Sequence, residues 1–156
     1  MSDNQSPVRV VIDGPAWLVL ETDLERIAPP DALRWFIEPE LLAQWWGEAC
    51  TIEPVPGGRY EVRWPGMNWT MRGQVLICDD TQLVYSWAWD HEPDLPARTV
   101  IVRAEPSVDG TRLTISQGPY RPTSSSLTRE DEDRESHRDG WLFFLPKLIQ
   151  VMTKGM

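Results

Sequence analysis

Between residues 54 and 117 turn residues recur at short intervals, and that punctuation leaves room for strands and for little else. Pro54, Pro56, Gly57 and Gly58 precede an alternating segment at 59–64, and Pro65-Gly66 turns the chain into 69–78. Asp79-Asp80 leads into 82–90, the polar connection DHEPDLP (90–96) into 97–105, and Asp109-Gly110 makes a tight hairpin into 111–117. The pattern predicts an antiparallel meander. Side-chain parity then assigns faces. Tyr60, Val62 and Trp64 share one side of their strand, Trp69, Met71, Val75 and Ile77 one side of the next, and Leu83, Tyr85, Trp87 and Trp89 one side of the third. The opposite side of that third strand carries Val84, Ser86, Ala88 and Asp90, so the aromatic side is the candidate for the buried, concave face.

The flanks supply helices. Residues 1–15 read as a polar start and a short apolar stretch, VRVVI (8–12), an extra edge strand or a loose arm. From Trp17 to Glu25 the chain alternates, with Leu18, Leu20, Thr22 and Leu24 on one side, until Pro29-Pro30 ends the strand. Asp31 serves as a first-turn acid or N-cap, and Ala32, Trp35 and Phe36 fall at helical spacing. Pro39 opens a second short helix with Leu41, Leu42, Trp45 and Trp46 on it and Gly47 as its stop. Neighbours on a helix point about 100° apart, so Trp45 and Trp46 are not expected to face inward together. After the connector GPYRPTSSSL (118–127), Thr128 is placed as an N-cap with Glu130, Asp131 and Glu132 in the first turn, where the helix dipole favours acids. Trp141, Phe144, Leu145, Leu148, Ile149 and Met152 then give the strongest helical period in the chain, with Pro146 expected to kink it.

Composition narrows the function classes. At about 100–200 residues per domain, 156 residues make a single domain over 1–156, with 1–15 as its arm or extra strand. The apolar runs, such as WLVL (17–20), are far shorter than the roughly 18 residues of a membrane span. A formal charge of -9 repels phosphate backbones and anionic lipid, which disfavours nucleic acid or a membrane as partner. Two cysteines and two histidines give neither a disulfide framework nor a metal-ligand spacing. Gly57-Gly58 lacks the rest of a phosphate loop and reads as a hairpin turn, and no cofactor is expected. The start MSDNQSPVRV has no basic segment followed by an apolar one, and a cytoplasmic location is expected.

Strand, two short helices, meander and long C-terminal helix together describe an α+β domain in which a curved antiparallel β-sheet wraps around the helix. Segments at corresponding places carry a family resemblance. DLERIAPPDALRWFIEPELLAQWW (23–46) resembles the opening strand and helix pair, and GGRYEVRWPGMNWTMRGQVLICDDTQLVYSWAW (57–89) the middle, with Gly73 inside a strand. DGTRLTISQGP (109–119) and GWLFFLPKLIQVM (140–152) resemble the closing hairpin and final helix. The family is the homologue domain of the heat-shock-protein-90 ATPase activator, within the START-like (SRPBCC) helix-grip superfamily. The resemblance implies a sheet gripping the last helix, often around an apolar cavity for a hydrophobic small molecule. It does not select among carriers, cyclases, drug-binding resistance proteins and co-chaperones.

Nine tryptophans in so short a chain focus attention on the aromatic face. If Tyr60, Trp64, Trp69, Met71, Tyr85, Trp87, Trp89 and Trp141 converge, they line a pocket for a flat aromatic ligand. The competing reading is plain core packing, since each aromatic buries about 150–250 Å². His137 lies four residues before Trp141, on the same helix face, and is the candidate polar group at the cavity mouth against the competing reading of a solvated surface histidine. Arg72, Asp90, His91, Glu92 and Asp94 are the other titratable candidates, the last four as a wet hairpin loop. Ser124–Ser126 have no triad partners at a recognised spacing, and Cys50 and Cys78, the latter expected opposite Met71, read as inert thiols.

Three functions fit these residues. The first is a binding protein for a hydrophobic, aromatic small molecule held between sheet and C-terminal helix, without catalytic residues. The second is a cyclase or hydrolase acting on a polyketide-like ligand through His137, Tyr60, Tyr85 or Arg72. The third is an interaction module with a chaperone partner, working through the acidic surface and an exposed Trp45 or Trp46. Related to this third reading is a homodimer formed through an edge strand or the tryptophan patch.

Overall fold

The computed structural model describes residues 7–121 and 127–154. Eight strands build one antiparallel sheet: β1 (Arg9–Asp13), β2 (Leu18–Glu25), β3 (Ala49–Ile52), β4 (Arg59–Trp64), β5 (Trp69–Cys78), β6 (Gln82–Trp89), β7 (Arg98–Pro106) and β8 (Gly110–Gly118). Their spatial order is β1-β2-β8-β7-β6-β5-β4-β3. Helices α1 (Pro29–Ile37) and α2 (Pro39–Leu42) follow β2, and α3 (Leu127–Lys154) lies in the grip of the sheet. This is the α+β helix-grip architecture that the order of elements predicts.

Alternation places the core on one face of the sheet. Leu18, Leu20, Thr22 and Leu24 of β2 are buried, opposite β8 in a register that pairs Leu20 with Ile115. Val100, Val102 and Ala104 of β7 continue the face into Leu83, Tyr85 and Trp87 of β6 and Tyr60, Val62 and Trp64 of β4. Helix α3 answers with Trp141, Leu145, Leu148 and Met152 at three- and four-residue steps. Helix α1 closes one end with Ala32, Leu33 and Phe36, starting on Pro29-Pro30 and ending before Pro39, whose ring disfavours a helical residue in front of it. Gly73 is required where β5 passes β6, because a Cβ there would fall 1.6 Å from the Ser86 carbonyl oxygen.

Several expectations need correction. Of the two readings of the VRVVI stretch the edge strand holds, shifted by one residue: β1 spans Arg9–Asp13 with every residue exposed, while Val8 is buried. Strand β3 was not anticipated, because its four residues are all half-buried and show no alternation. Trp45 and Trp46 are both buried, stacked at 5.5 Å and 15° between planes. Helical-type turns continue past α2 to Trp46, whose N–H reaches the Leu42 carbonyl, and both rings are buried because Phe36 packs on Trp45 while Trp64, Trp87 and Trp141 pack on Trp46. A register shift between Val75 and Ile77 turns Ile77 outward and pairs Cys78 with buried Leu83, so Cys78 packs against the core. Helix α3 starts at Leu127, which puts Thr128 inside its first turn, and it runs on through Pro146. The connector positions 122–126 and the Thr128 side chain lie outside the described residues.

Candidate functional site

The aromatic residues of β4, β6 and α3 converge on Trp46, which the turn after α2 delivers to the open end of the sheet. Trp46 stacks on Trp45, Trp87 and Trp141 at 5.5, 5.6 and 5.5 Å and meets Trp64 edge-on at 5.8 Å. Aromatic pairs at such spacings contribute about 0.5–1.5 kcal/mol each beyond the area they bury. Most of the indole N–H groups are satisfied: Trp45 donates to the Trp35 carbonyl at 3.0 Å, Trp64 to the Trp46 carbonyl at 2.8 Å, and Trp141 to Oε1 of Gln117 at 2.8 Å. These bonds fix ring orientations and so shape the wall.

Beside this cluster lies a cavity of about 170 Å³ between the sheet and α3. Six of the nine residues singled out from sequence line it: Trp64, Trp69, Trp87, Trp89, His137 and Trp141. Trp69, 40% exposed, stacks on His91 at 5.0 Å. Tyr60, Met71 and Tyr85 lie elsewhere, in the closed core. The two tyrosine rings stack at 3.8 Å and the Tyr60 hydroxyl donates to the Phe36 carbonyl at 2.6 Å. Burial holds both phenols above their ordinary pKa.

Trp46, Met67, Ser136, Gly140 and Phe144 complete the lining. Sequence reasoning weighed Trp46 only as one of a pair and gave Gly140 no role. A Cβ at Gly140 would meet no atom within 4 Å, which is the signature of open space in front of it.

His137 is 7% exposed, so the competing account of a solvated histidine does not hold. Its Nδ1 lies 2.7 Å from the Tyr120 hydroxyl and its Nε2 3.5 Å from Oδ1 of Asp133. Burial drives its pKa down to about 4, outweighing the nearby Asp133 carboxylate, so the ring is neutral near pH 7. Behind it sits a network the sequence reading missed. Arg98, 2% exposed, directs Nε and Nη2 to Oδ2 of Asp133 at 3.0 and 2.8 Å and Nη1 and Nη2 to the Glu130 carboxylate at 3.0 and 2.9 Å. Nη1 also reaches the Pro119 carbonyl at 2.9 Å, so all five guanidinium hydrogens are used. The Arg98 bonds hold the Glu130 carboxyl below its ordinary pKa against the opposing effect of burial. Read from sequence, Glu130 was only a dipole acid. The signal available was Asp133 and His137 one turn apart on the inward face.

The other titratable candidates are not in the cavity wall. Arg72 is paired with Asp90 at 2.8 Å, both largely exposed. The Cys50 thiol is pushed up to about 11 by burial, which makes it a poor nucleophile. Among the described residues no group of His, Cys, Asp and Glu could hold a metal ion, and no helix is long and apolar enough to cross a membrane.

Sheet, gripped helix and the cavity between them define a START-like helix-grip domain. The chain belongs to the family described as Activator of Hsp90 ATPase homolog 1-like protein, whose model matches residues 28–153. Among solved structures it is similar to protein MLL2253 of Mesorhizobium loti, with 23% identity and a TM-score of 0.75 over 88% of this chain and 97% of that one. Protein NE0264 of Nitrosomonas europaea shares 21% identity with a TM-score of 0.71, covering 92% of this chain and 98% of that one. DynU16, a protein in the dynemicin biosynthetic locus, shares 17% identity with a TM-score of 0.71, covering 91% of this chain and 49% of that one. No curated protein matches the chain.

Proposed function

We propose that this protein binds a hydrophobic, aromatic small molecule in the cavity between β4 to β6 and α3. The observation that carries the reading is the cavity of about 170 Å³ walled by indole rings. An apolar cavity of about 150 Å³ takes up benzene, so the space suits one ring or a compact fused pair. Stacking against Trp87 or Trp141 supplies orientation, and the half-exposed Trp69 stands at the rim. The likeness to a protein in a biosynthetic locus is in keeping with a small-molecule ligand.

Catalysis is less well supported. Tyr60 and Tyr85 are in closed core, Arg72 is engaged outside, and a histidine titrating at about 4 is a weak base toward a ligand. The chaperone-contact reading loses the exposed tryptophan patch it needs, because Trp45 and Trp46 are both buried. Pairing with a second copy has support in the exposed Val10, Val11 and Ile12 of edge strand β1.

Tryptophan quenching by neutral one- and two-ring aromatics, with native mass spectrometry of freshly purified protein, tests the binding reading. Saturable quenching that Gly140→Leu abolishes is the expected result. Quenching that persists unchanged in Gly140→Leu places the ligand elsewhere and overturns it.

A further inference from the structure

Two nitrogens in residues of the cavity wall have no hydrogen-bond partner among the described residues: Nε1 of Trp87 and Nε2 of His137. Both side chains are more than nine-tenths buried, and the rings meet edge-on with centroids 5.3 Å apart. Buried polar groups without partners are rare, since each costs about as much as a lost hydrogen bond. Trp45, Trp64 and Trp141 of the same cluster do find acceptors, whereas the Trp87 nitrogen is sealed without one.

The chemical sense of the pair follows from its surroundings. The Tyr120 hydroxyl lies 2.7 Å from Nδ1, and the Asp133 carboxylate lies 3.5 Å from Nε2. The carboxylate, which only accepts, favours the tautomer that carries its hydrogen on Nε2, and Nδ1 then accepts from the hydroxyl. Trp87 Nε1 is a donor in every state. The two orphan atoms are therefore both donors, and they call for an atom that accepts twice and has no hydrogen of its own to place. A carbonyl oxygen, with two lone pairs, is that atom.

Charge narrows the class further. No charged residue is among those lining the cavity, and the Arg98 guanidinium behind it is fully engaged. A carboxylate ligand would be buried without a counter-charge and close to Asp133.

We infer that the ligand is a neutral aryl ketone, aldehyde or quinone, whose carbonyl oxygen accepts from Trp87 Nε1 and His137 Nε2 while its ring stacks among the cavity indoles. This rests on the binding function proposed above and adds the polar anchor that selects within it. Both nitrogens are sealed from water, so the oxygen meets them only after the two rings turn within their packing.

Acetophenone, its apolar near-isostere isopropylbenzene, and benzoate are the probes, titrated into wild type, Trp87→Phe and Trp64→Phe. Trp64 already donates to a backbone carbonyl, so its replacement controls for the lost ring volume. Trp87→Phe should weaken acetophenone about tenfold more than isopropylbenzene, and Trp64→Phe should move both alike. The carbonyl stretch of bound acetophenone should shift to lower frequency in wild type and recover in Trp87→Phe. Benzoate should not bind. Equal losses of acetophenone and isopropylbenzene in Trp87→Phe, or benzoate binding as tightly as acetophenone, overturn the carbonyl assignment while leaving aromatic binding standing. Binding of neither neutral compound overturns the cavity reading and this assignment with it.

Discussion

The hydroxyl of Tyr120 lies 2.7 Å from Nδ1 of His137, and both residues are buried where the chain leaving β8 passes under α3. Arg98 lies 4.4 Å over the Tyr120 ring and grips Asp133, one turn before His137. Helix α3 is thus tied to β7 by a polar network at its N-terminal end, and further along Trp141 bonds Gln117 of β8 while Leu145 and Leu148 are buried in the core.

This arrangement predicts a pH dependence of stability. His137 titrates at about 4 when folded against 6.5 as its ordinary value, so between those values the unfolded chain binds more protons. Its contribution is fully present above pH 6.5 and is lost as the pH falls toward 4, about 3 kcal/mol over the window. Urea denaturation at pH 7, 5.5 and 4.5 measures the slope. His137→Gln should flatten it, whatever its effect at pH 7.

Removing the hydroxyl alone is a finer probe. Tyr120→Phe should cost about 1–3 kcal/mol, because His137 Nδ1 is left buried without a donor. Imidazole nitrogen chemical shifts should report hydrogen on Nε2 in the wild type and a shifted tautomer balance in the variant.

Arg98→Met leaves two buried carboxylates, Glu130 and Asp133, with no cation between them. Loss of about 3–5 kcal/mol is expected at pH 7. Part of it should return below the carboxylate range, where both acids protonate. A denaturation series from pH 7 to pH 3, read relative to wild type, distinguishes this from simple loss of packing.

Trp46 holds the aromatic cluster together, and its truncation to Ala should cost about 3–5 kcal/mol. Near-ultraviolet circular dichroism should lose intensity at the same time, since Trp45, Trp87 and Trp141 all pack on that ring.

Gly140 gives the opposite sign. Its place in the interior of α3, with no atom within 4 Å of an added Cβ, predicts that Gly140→Ala stabilises the protein by about 0.5–1 kcal/mol. Thermal unfolding of the variant measures it.

The sequence by itself determined the architecture: turn residues between 54 and 117 set the meander, alternation set its inner face, and the period from Trp141 to Met152 set the helix it grips. These are local signals, readable because strand and helix periods repeat over many residues. Tertiary structure decided the site. Tyr60 and Tyr85 share their strand faces with Trp64 and Trp87 yet end in closed core, because depth along a strand depends on what packs above it. Trp46 is central because rings from β4, β6 and α3 pack around it, and Ile77 left the inner face through a register shift. Arg98, Glu130, Asp133 and Tyr120 come from three separate segments, and the only spacing that hints at them lies within α3, where Asp133 precedes His137 by one turn. A buried charge finds its partners by proximity in space, and periodicity records only which side a residue faces.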